Sequence, residues 1–493
     1  MEPAEEGPGR GRALAGFAFA PIVFATLWLA PLDLPMPAHR LGAVLGAVVV
    51  LWVTEALPMA MTAFLGVALT VPLGIAPVQD AFAPFADPLI FLFIGTFMLA
   101  QAIFFHGLDR RFAFAILGLP GVGARPARVL VAYASVACAI SMWISNTATV
   151  AMMLPIGLSL LAVLDAHGEG SRRFGSALLL SASFAASVGG LGTPVGTAPN
   201  LIGLGFLRRE TQVDVPFFAW MTLGLPVTVM LLGIVVTSLR RDTPPRGDAG
   251  ASLAAAIAAE RRRLGAWTVG QRNTVVAFGL TVVFWVLPGI VALVAGSEHP
   301  AYKWLQATLP EPVVALVGAG LLFVLPTDRR RLEFTLPWAE AVKIDWWIVF
   351  LYGGGIALGT LAFKTGLAEA LGHRLTTLLG VRTEIGLLAS STILATVLSE
   401  TTSNTASANM VVPVVIAFAR SAGIDPTLPA IGATMGSSLG FLLPVSTPCN
   451  ALVYGTGRVP LRDMMRHGIL LDVAGVAIII LVVTTLGPRV LGR

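Results

Sequence analysis

The stretch SNTATVAMMLP, Ser145–Pro155, returns as SNTASANMVVP, Ser403–Pro413, with six of eleven positions identical and an offset of 258 residues. Two further blocks recur in the same order. Upstream, Phe91, Gly95, Leu99, Phe104, Gly107 and Leu108 match Phe350, Gly354, Leu358, Phe363, Gly366 and Leu367. Downstream, PVGTAPN at Pro194–Asn200 matches PVSTPCN at Pro444–Asn450. Three blocks in one order mark an internal duplication. The blocks that match are polar and helix-breaking, which a duplication serving only packing does not explain.

Both Ser-Asn-Thr clusters interrupt long apolar stretches, Ala127–Leu164 and Ile385–Ala419. Each stretch is too long for one crossing of a bilayer, which takes about 20 residues. Each reads instead as two half-helices meeting at a polar tip, a re-entrant hairpin. Non-helical backbone at membrane depth persists only where protein or a wet cavity satisfies it.

The rest of the 493 residues agrees with a membrane setting: 56% are hydrophobic and 12% charged, about half the charged share of a soluble domain. Eleven spans are expected: Leu14–Leu32, Leu41–Ala60, Met61–Val78, Leu89–Phe105, Gly175–Phe206, Val215–Leu239, Thr274–Ala295, Val313–Pro326, Trp346–Phe363, Thr427–Gly455 and Gly468–Leu486. The fold class is an all-α polytopic membrane protein with about eleven transmembrane helices and two hairpins. The polar start, MEPAEEGPGRGR, lacks a cleavage pattern and reads as the lead-in to an uncleaved first span.

Orientation follows from the basic residues. With a cytoplasmic N-terminus, 22 Lys and Arg fall inside and 10 outside, as the positive-inside bias requires. The net charge of +5 is therefore a topology signal and not a nucleic-acid patch. An odd number of crossings separates Ser145 from Ser403, so the halves are inverted repeats. Such repeats are found in secondary transporters, with the binding site at the midplane. The expected organisation is 1–35 for the N-terminal segment and first helix, and 36–240 for the first repeat, with hairpin 127–164 and broken helix 175–206. Residues 241–272 form a cytoplasmic linker, with a membrane-surface helix over Ala251–Leu264. The second repeat covers 273–493, with hairpin 385–419 and broken helix 427–455.

At each tip, a starting half-helix presents free N–H groups and a positive dipole end. Ser, Asn and Thr add short hydroxyl and amide groups that bind a carboxylate or a hard cation. No Lys or Arg lies within 16 residues of Asn146 or 15 of Asn404, and none of the six histidines is central in a span. Cys138 and Cys449 lie far apart in apolar stretches, without disulfide or zinc spacing. Glu400 has no acidic counterpart, the matching position being Met142, and reads as a hydrogen-bonded structural acid. Glu55 reads as a cap or ion-pair partner at a helix end. An enzyme is not expected, because Ser145 and Ser403 have no base nearby in sequence and no metal cluster is spelled out.

WVTEALPMAMTA at Trp52–Ala63, both SNT blocks, GTAPN at Gly196–Asn200, GGGIALG at Gly353–Gly359 and LPVSTPCN at Leu443–Asn450 resemble the divalent anion/sodium symporters over nearly the whole chain. That family carries dicarboxylates, citrate or sulfate. The resemblance implies a homodimer whose protomers each have a scaffold and a transport domain moving as an elevator. It implies a first sodium site from Ser141, Ser145, Asn146 and the Gly196 carbonyl. A second would use Ser399, Thr402, Ser403, Asn404 and the Ser446 carbonyl. Substrate would meet Asn146, Thr147, Thr197, Asn404, Thr405 and Thr447. Ala198 and Cys449 stand where the family commonly has proline.

The expected function is secondary active transport of small divalent anions, foremost sodium-coupled uptake of C4-dicarboxylates such as succinate, in a bacterial-type inner membrane. A sodium-independent exchanger, a sulfate or citrate carrier of the same fold, and an anion channel remain as alternatives. Paired occluding hairpins argue against a channel, which needs a continuous polar or charged pore lining. No cofactor is expected beyond Na+ as coupling ion. The partners are the dianion, sodium, membrane lipid and a second copy of the chain.

Overall fold

The computed structural model describes residues 10–123, 125–166, 171–242, 249–296, 298–379, 381 and 383–491. The polar start at 1–9, His167 and linker residues 243–248 lie outside them. Among the described residues nearly everything regular is helix, with one small antiparallel pair, Pro326–Asp328 on Glu333–Phe334. Among the described residues eight helices are long and apolar enough to cross a membrane: Gly11–Leu29, Met36–Thr54, Val78–Phe105, Asn146–Ala166, Phe217–Asp242, Val269–Ala295, Trp346–Lys364 and Leu461–Val490. A ninth is available if Pro300–Thr308 and Glu311–Val324, bent by 61°, act as one span.

One expected span differs from these. Met61–Val78 folds as a twelve-residue helix, Met59–Thr70, because Pro72 lacks an amide hydrogen and Gly74 turns the chain at φ 67°. Gly175–Phe206 and Thr427–Gly455 are broken. Arg172–Gly190 gives way to Ala198–Thr211, and Thr427–Gly436 to Pro448–Gly455. Both long interrupted stretches are helix pairs, Pro126–Ser141 with Asn146–Ala166 and Glu384–Thr401 with Asn404–Ser421. The second arm of the first pair has 21 residues, enough by length alone to cross.

The chain divides into two compact units, each drawing on both halves of the sequence. One comprises Met1–Ile90, Leu201–Asp214 and Asp345–Ser437. In it the second hairpin packs on Thr427–Gly436 and on Leu367–Leu379. A core of Leu41, Val44, Trp52, Val67, Leu351 and Leu358 joins Met36–Thr54, Met59–Thr70 and Trp346–Lys364. The other unit comprises Phe91–Asn200, Val215–Ile344 and Ser438–Arg493. There the first hairpin packs on Arg172–Gly190, whose residues from Phe174 to Gly190 are all buried. By contrast Val275, Val276, Leu280, Val283 and Phe284 on Val269–Ala295 are exposed. Each such side chain is about 1.5–3 kcal/mol better off in an apolar medium than in water, so this face belongs in lipid.

The linker helix runs over Ala249–Arg263. Its apolar side, Leu253 and Ile257, is buried against protein, and it packs on Leu108–Leu117 and the first hairpin. Glu260 pairs with Arg110 at 3.6 Å and Arg263 at 2.5 Å. Arg111 donates to the carbonyls of Leu264, Gly265 and Ala266, and lies over the Trp267 ring.

Candidate functional site: the two hairpin tips

At the first tip, the turn 142–145 separates the two arms, and the Ser145 hydroxyl caps the second arm by accepting from the Ala148 amide at 3.4 Å. Ser141 Oγ donates to Asn146 Oδ1 at 2.7 Å. Thr193 Oγ1 donates to the Met142 carbonyl, tying the broken span to the tip. Gly190 lets the two approach: a Cβ there would lie 2.6 Å from Asn146 Oδ1. A Cβ on Gly196 would lie 3.0 Å from the Met142 carbonyl oxygen. The structure thus gathers Ser141, Ser145, Asn146 and Gly196 in one place.

The second tip repeats this construction. Ser403 accepts from the Ala406 amide at 3.1 Å, and Ser399 Oγ donates to Asn404 Oδ1 at 2.7 Å. The same Ser399 Oγ lies 2.8 Å from the Ser437 carbonyl oxygen, so its one proton is shared between the two acceptors. Thr402 and Thr405 are buried. Ser399, Thr402, Ser403, Asn404 and Thr405 belong to one unit; Ser446 and Thr447 belong to the other, with Asn146, Thr147 and Thr197.

The breaks are held open by a device the sequence reading overlooked. Asn200 Nδ2 donates to the carbonyls of Gly190 and Thr193, both at 2.8 Å. Asn450 Nδ2 donates to those of Gly440 and Leu443, both at 3.0 Å. Each amide replaces the backbone donors lost when the helix unwinds. Every atom of one set lies 250 residues from its equivalent, so the recurrence of Asn in PVGTAPN and PVSTPCN was the available signal. Ser183 Oγ donates to Asn450 Oδ1 at 2.7 Å. Beside Ala198, Pro199 stands in the first turn of Ala198–Thr211, and beside Cys449, Pro448 opens Pro448–Gly455. The Cys449 side chain hydrogen-bonds with Thr147.

Arg12 was also overlooked. Its guanidinium donates to the Val53 carbonyl at 2.6 Å and the Thr401 carbonyl at 3.2 Å, with Glu55 Oε1 3.8 Å away. It therefore sits at the negative ends of two helices, one of them the first arm of the second hairpin. Glu55 occupies the C-cap of Met36–Thr54 with φ 52°, in keeping with its reading as a cap and ion-pair partner. Glu400 is buried at 8% exposure. Three histidines serve structure: His39 bonds the Leu27 carbonyl, His106 that of Thr335, and His467 lies 3.3 Å from Asp242. Among the described residues, no three His, Cys, Asp or Glu side chains cluster as a metal site would need. The tips offer uncharged oxygen and amide groups, a set suited to hard monovalent cations and to carboxylates.

Known proteins match this architecture along its length. The family model described as the sodium:sulfate symporter transmembrane region covers residues 13–492. The sodium-dependent dicarboxylate transporter SdcS of Staphylococcus aureus (strain USA300) is 31% identical, over 97% of this chain and 92% of that protein. SdcS of strain N315 gives the same figures. The crystal structure of the YdaH transporter of Alcanivorax borkumensis shares the fold, with a TM-score of 0.58 at 16% identity, covering 97% of this chain and 98% of that one. The chain belongs to the sodium:sulfate symporter family of membrane transporters, the divalent anion/sodium symporters.

Proposed function

We propose that this protein takes up C4-dicarboxylates such as succinate, driven by sodium, as an elevator-type homodimer in a bacterial-type inner membrane with its N-terminus inside. The observation that carries the reading is the doubled Ser–Asn contact, Ser141 to Asn146 and Ser399 to Asn404, each 2.7 Å. The serine bonds orient the two asparagine side chains, and an asparagine meets a cation through its oxygen and a carboxylate through its amide. One residue then serves ion and substrate together. The SdcS relatives, named as sodium-dependent dicarboxylate transporters, support the substrate class.

The charge balance supports sodium coupling. A single ionised group at the membrane centre costs roughly 2.5–3.5 kcal/mol on insertion scales. Two half-helix N-termini return about 0.3–1 kcal/mol each. A cation about 5 Å from a carboxylate contributes on the order of 3 kcal/mol at an effective dielectric near 20. In this reading sodium is held by Ser141, Ser145, Asn146 and the Gly196 carbonyl, and by Ser399, Thr402, Ser403, Asn404 and the Ser446 carbonyl. The dianion is held by Asn146, Thr147, Thr197, Asn404, Thr405 and Thr447.

A sodium-independent exchanger of the same fold is the second reading, and Arg12 is the observation that favours it. Its fixed positive charge beside Thr401 could compensate a dianion without an ion. Against this, its Nη2 is already engaged by the Val53 and Thr401 carbonyls, and Glu55 Oε1 lies 3.8 Å from the same nitrogen. Uptake of labelled succinate, citrate and sulfate into proteoliposomes, with and without a sodium gradient, decides. Succinate uptake that needs the gradient is expected. Uptake driven only by internal dicarboxylate supports the exchanger, and preference for citrate or sulfate replaces the substrate.

A further inference from the structure

A cavity of about 410 Å³ lies between three elements of one compact unit: the helix Leu108–Leu117, the second arm of the first hairpin and the linker helix Ala249–Arg263. Phe114, Met152, Ile156 and Leu160 line it with apolar surface. Asp109, Arg110, Ser159 and Glu260 supply its polar groups. The hairpin arm contributes its middle, from Met152 to Leu160, and not the Asn146 end. A space of this size, mostly apolar with a few polar groups, is the ordinary form of a small-molecule site.

Its charged groups are unevenly balanced. Glu260 has two partners, Arg110 at 3.6 Å and Arg263 at 2.5 Å. Asp109 is only 5% exposed, and its Oδ1 makes no hydrogen bond among the described residues. A place in the first turn of Leu108–Leu117 suits an acid, and the Arg110 amide donates to the carboxyl. That accounts for one oxygen and leaves the other. Burial raises the carboxyl to about 6, so at neutral pH it stands ionised with too little to compensate its charge. The helix itself does not require the acid: at the equivalent position of Leu367–Leu379 the residue is Ala368.

An organic cation meets these conditions. Its charge compensates the carboxylate, and its N–H groups donate to Asp109 and to the Ser159 hydroxyl. A bare metal ion fits poorly, because most of the wall offers no oxygen. An anion is opposed by Asp109, and Arg110 is already turned to Glu260. A neutral apolar molecule leaves the buried carboxylate as it is. We propose that this cavity binds a small primary amine as its ammonium ion, with the head on Asp109 and Ser159 and the apolar body among Phe114, Met152 and Leu160. The linker helix and the hairpin arm are two of its walls, so the bound amine braces one against the other. The same head is carried by a free amine and by an ethanolamine lipid, and the test separates them. The inference rests on the cavity alone, not on the transported substrate or its coupling ion.

The probe is phenethylamine, set against phenethyl alcohol and phenylacetate, which keep the ring and change the head. Binding is measured by calorimetry on the full chain in phosphatidylcholine nanodiscs at neutral pH. The amine is expected to bind at least tenfold tighter than either, and to slow amide exchange in the linker helix at least threefold. Both effects are expected to vanish in Asp109→Asn. Equal binding of the three probes, or undiminished amine binding by Asp109→Asn, overturns the site. Should Asp109→Asn not fold, Ala256→Phe keeps the acid and fills the space. Amine binding is expected to disappear in that variant as well, and full binding by it overturns the site equally. Nanodiscs with added phosphatidylethanolamine then identify the source of the ammonium head. Weakened phenethylamine binding there supports the site with the lipid as its occupant, and unchanged binding supports it with a free amine.

Discussion

Ser141 and Ser399 make the same bond to Asn146 and Asn404, at the same 2.7 Å, yet three residues further on the tips part company. Thr149 Oγ1 is buried with no hydrogen-bond partner among the described residues, whereas its equivalent Ser407 donates to the Ala395 carbonyl at 2.8 Å and meets Ser437 Oγ at 3.3 Å. Arg12 reaches the carbonyl of Thr401 at the second tip. The helix beside the first hairpin, Leu108–Leu117, carries the buried acid Asp109, where its equivalent beside the second hairpin, Leu367–Leu379, has Ala368. What is shared lies at the point where ligands would bind, and what differs lies one turn behind it. A twofold set of binding groups sits in two dissimilar supports, which fits tips that must do the same chemistry while facing opposite sides.

Equivalence of the tips requires that neither can be spared. Asn146→Ala and Asn404→Ala are each expected to lower uptake at least a hundredfold with expression and dimerisation intact. A variant that keeps full uptake removes its tip from the site.

The difference between the supports is open to titration. Burial, partly offset by the Arg110 amide and charge, raises the Asp109 carboxyl from 3.8 to about 6. The folded protein therefore holds this proton more tightly than the unfolded chain. Its contribution is most favourable near pH 4 and is lost as pH rises to about 6. At pH 7, Asp109→Asn is expected to raise unfolding stability in detergent by about 2–3 kcal/mol, with little gain at pH 4. Asp109 also lines a cavity of about 410 Å³ beside Pro155 and Glu260. An equal gain at both pH values would mean that the carboxyl is not the source.

Smaller effects separate Thr149 from Ser407. Thr149→Val keeps the shape and removes a hydroxyl that bonds nothing, so stability should stay within about 0.5 kcal/mol. Ser407→Ala forfeits a made bond and should cost about 1 kcal/mol. Equal costs in thermal unfolding would erase the distinction between the supports.

How much of this was legible beforehand depended on distance along the chain. The tips announced themselves because Ser-Asn-Thr in an apolar stretch breaks periodicity locally, and because the break occurs twice. The unwound spans were readable from PVGTAPN and PVSTPCN, although the role of Asn200 and Asn450 was not, since a donor to a carbonyl ten residues back leaves no pattern of its own. Arg12 lay beyond reach, because 389 residues separate it from Thr401 and only the fold brings them together. Met61–Val78 misled because its composition is apolar throughout, while one proline and one left-handed glycine end the helix early.

The central claim is that cations at the two Ser–Asn tips make room for a dianion. It is tested most directly by succinate binding to the purified protein in sodium and in choline buffer at equal ionic strength. The expected result is binding at least tenfold tighter in sodium, with the difference abolished in Asn146→Ala and in Asn404→Ala. Equal affinity in the two buffers would contradict the claim and leave a fixed charge such as Arg12 to balance the substrate.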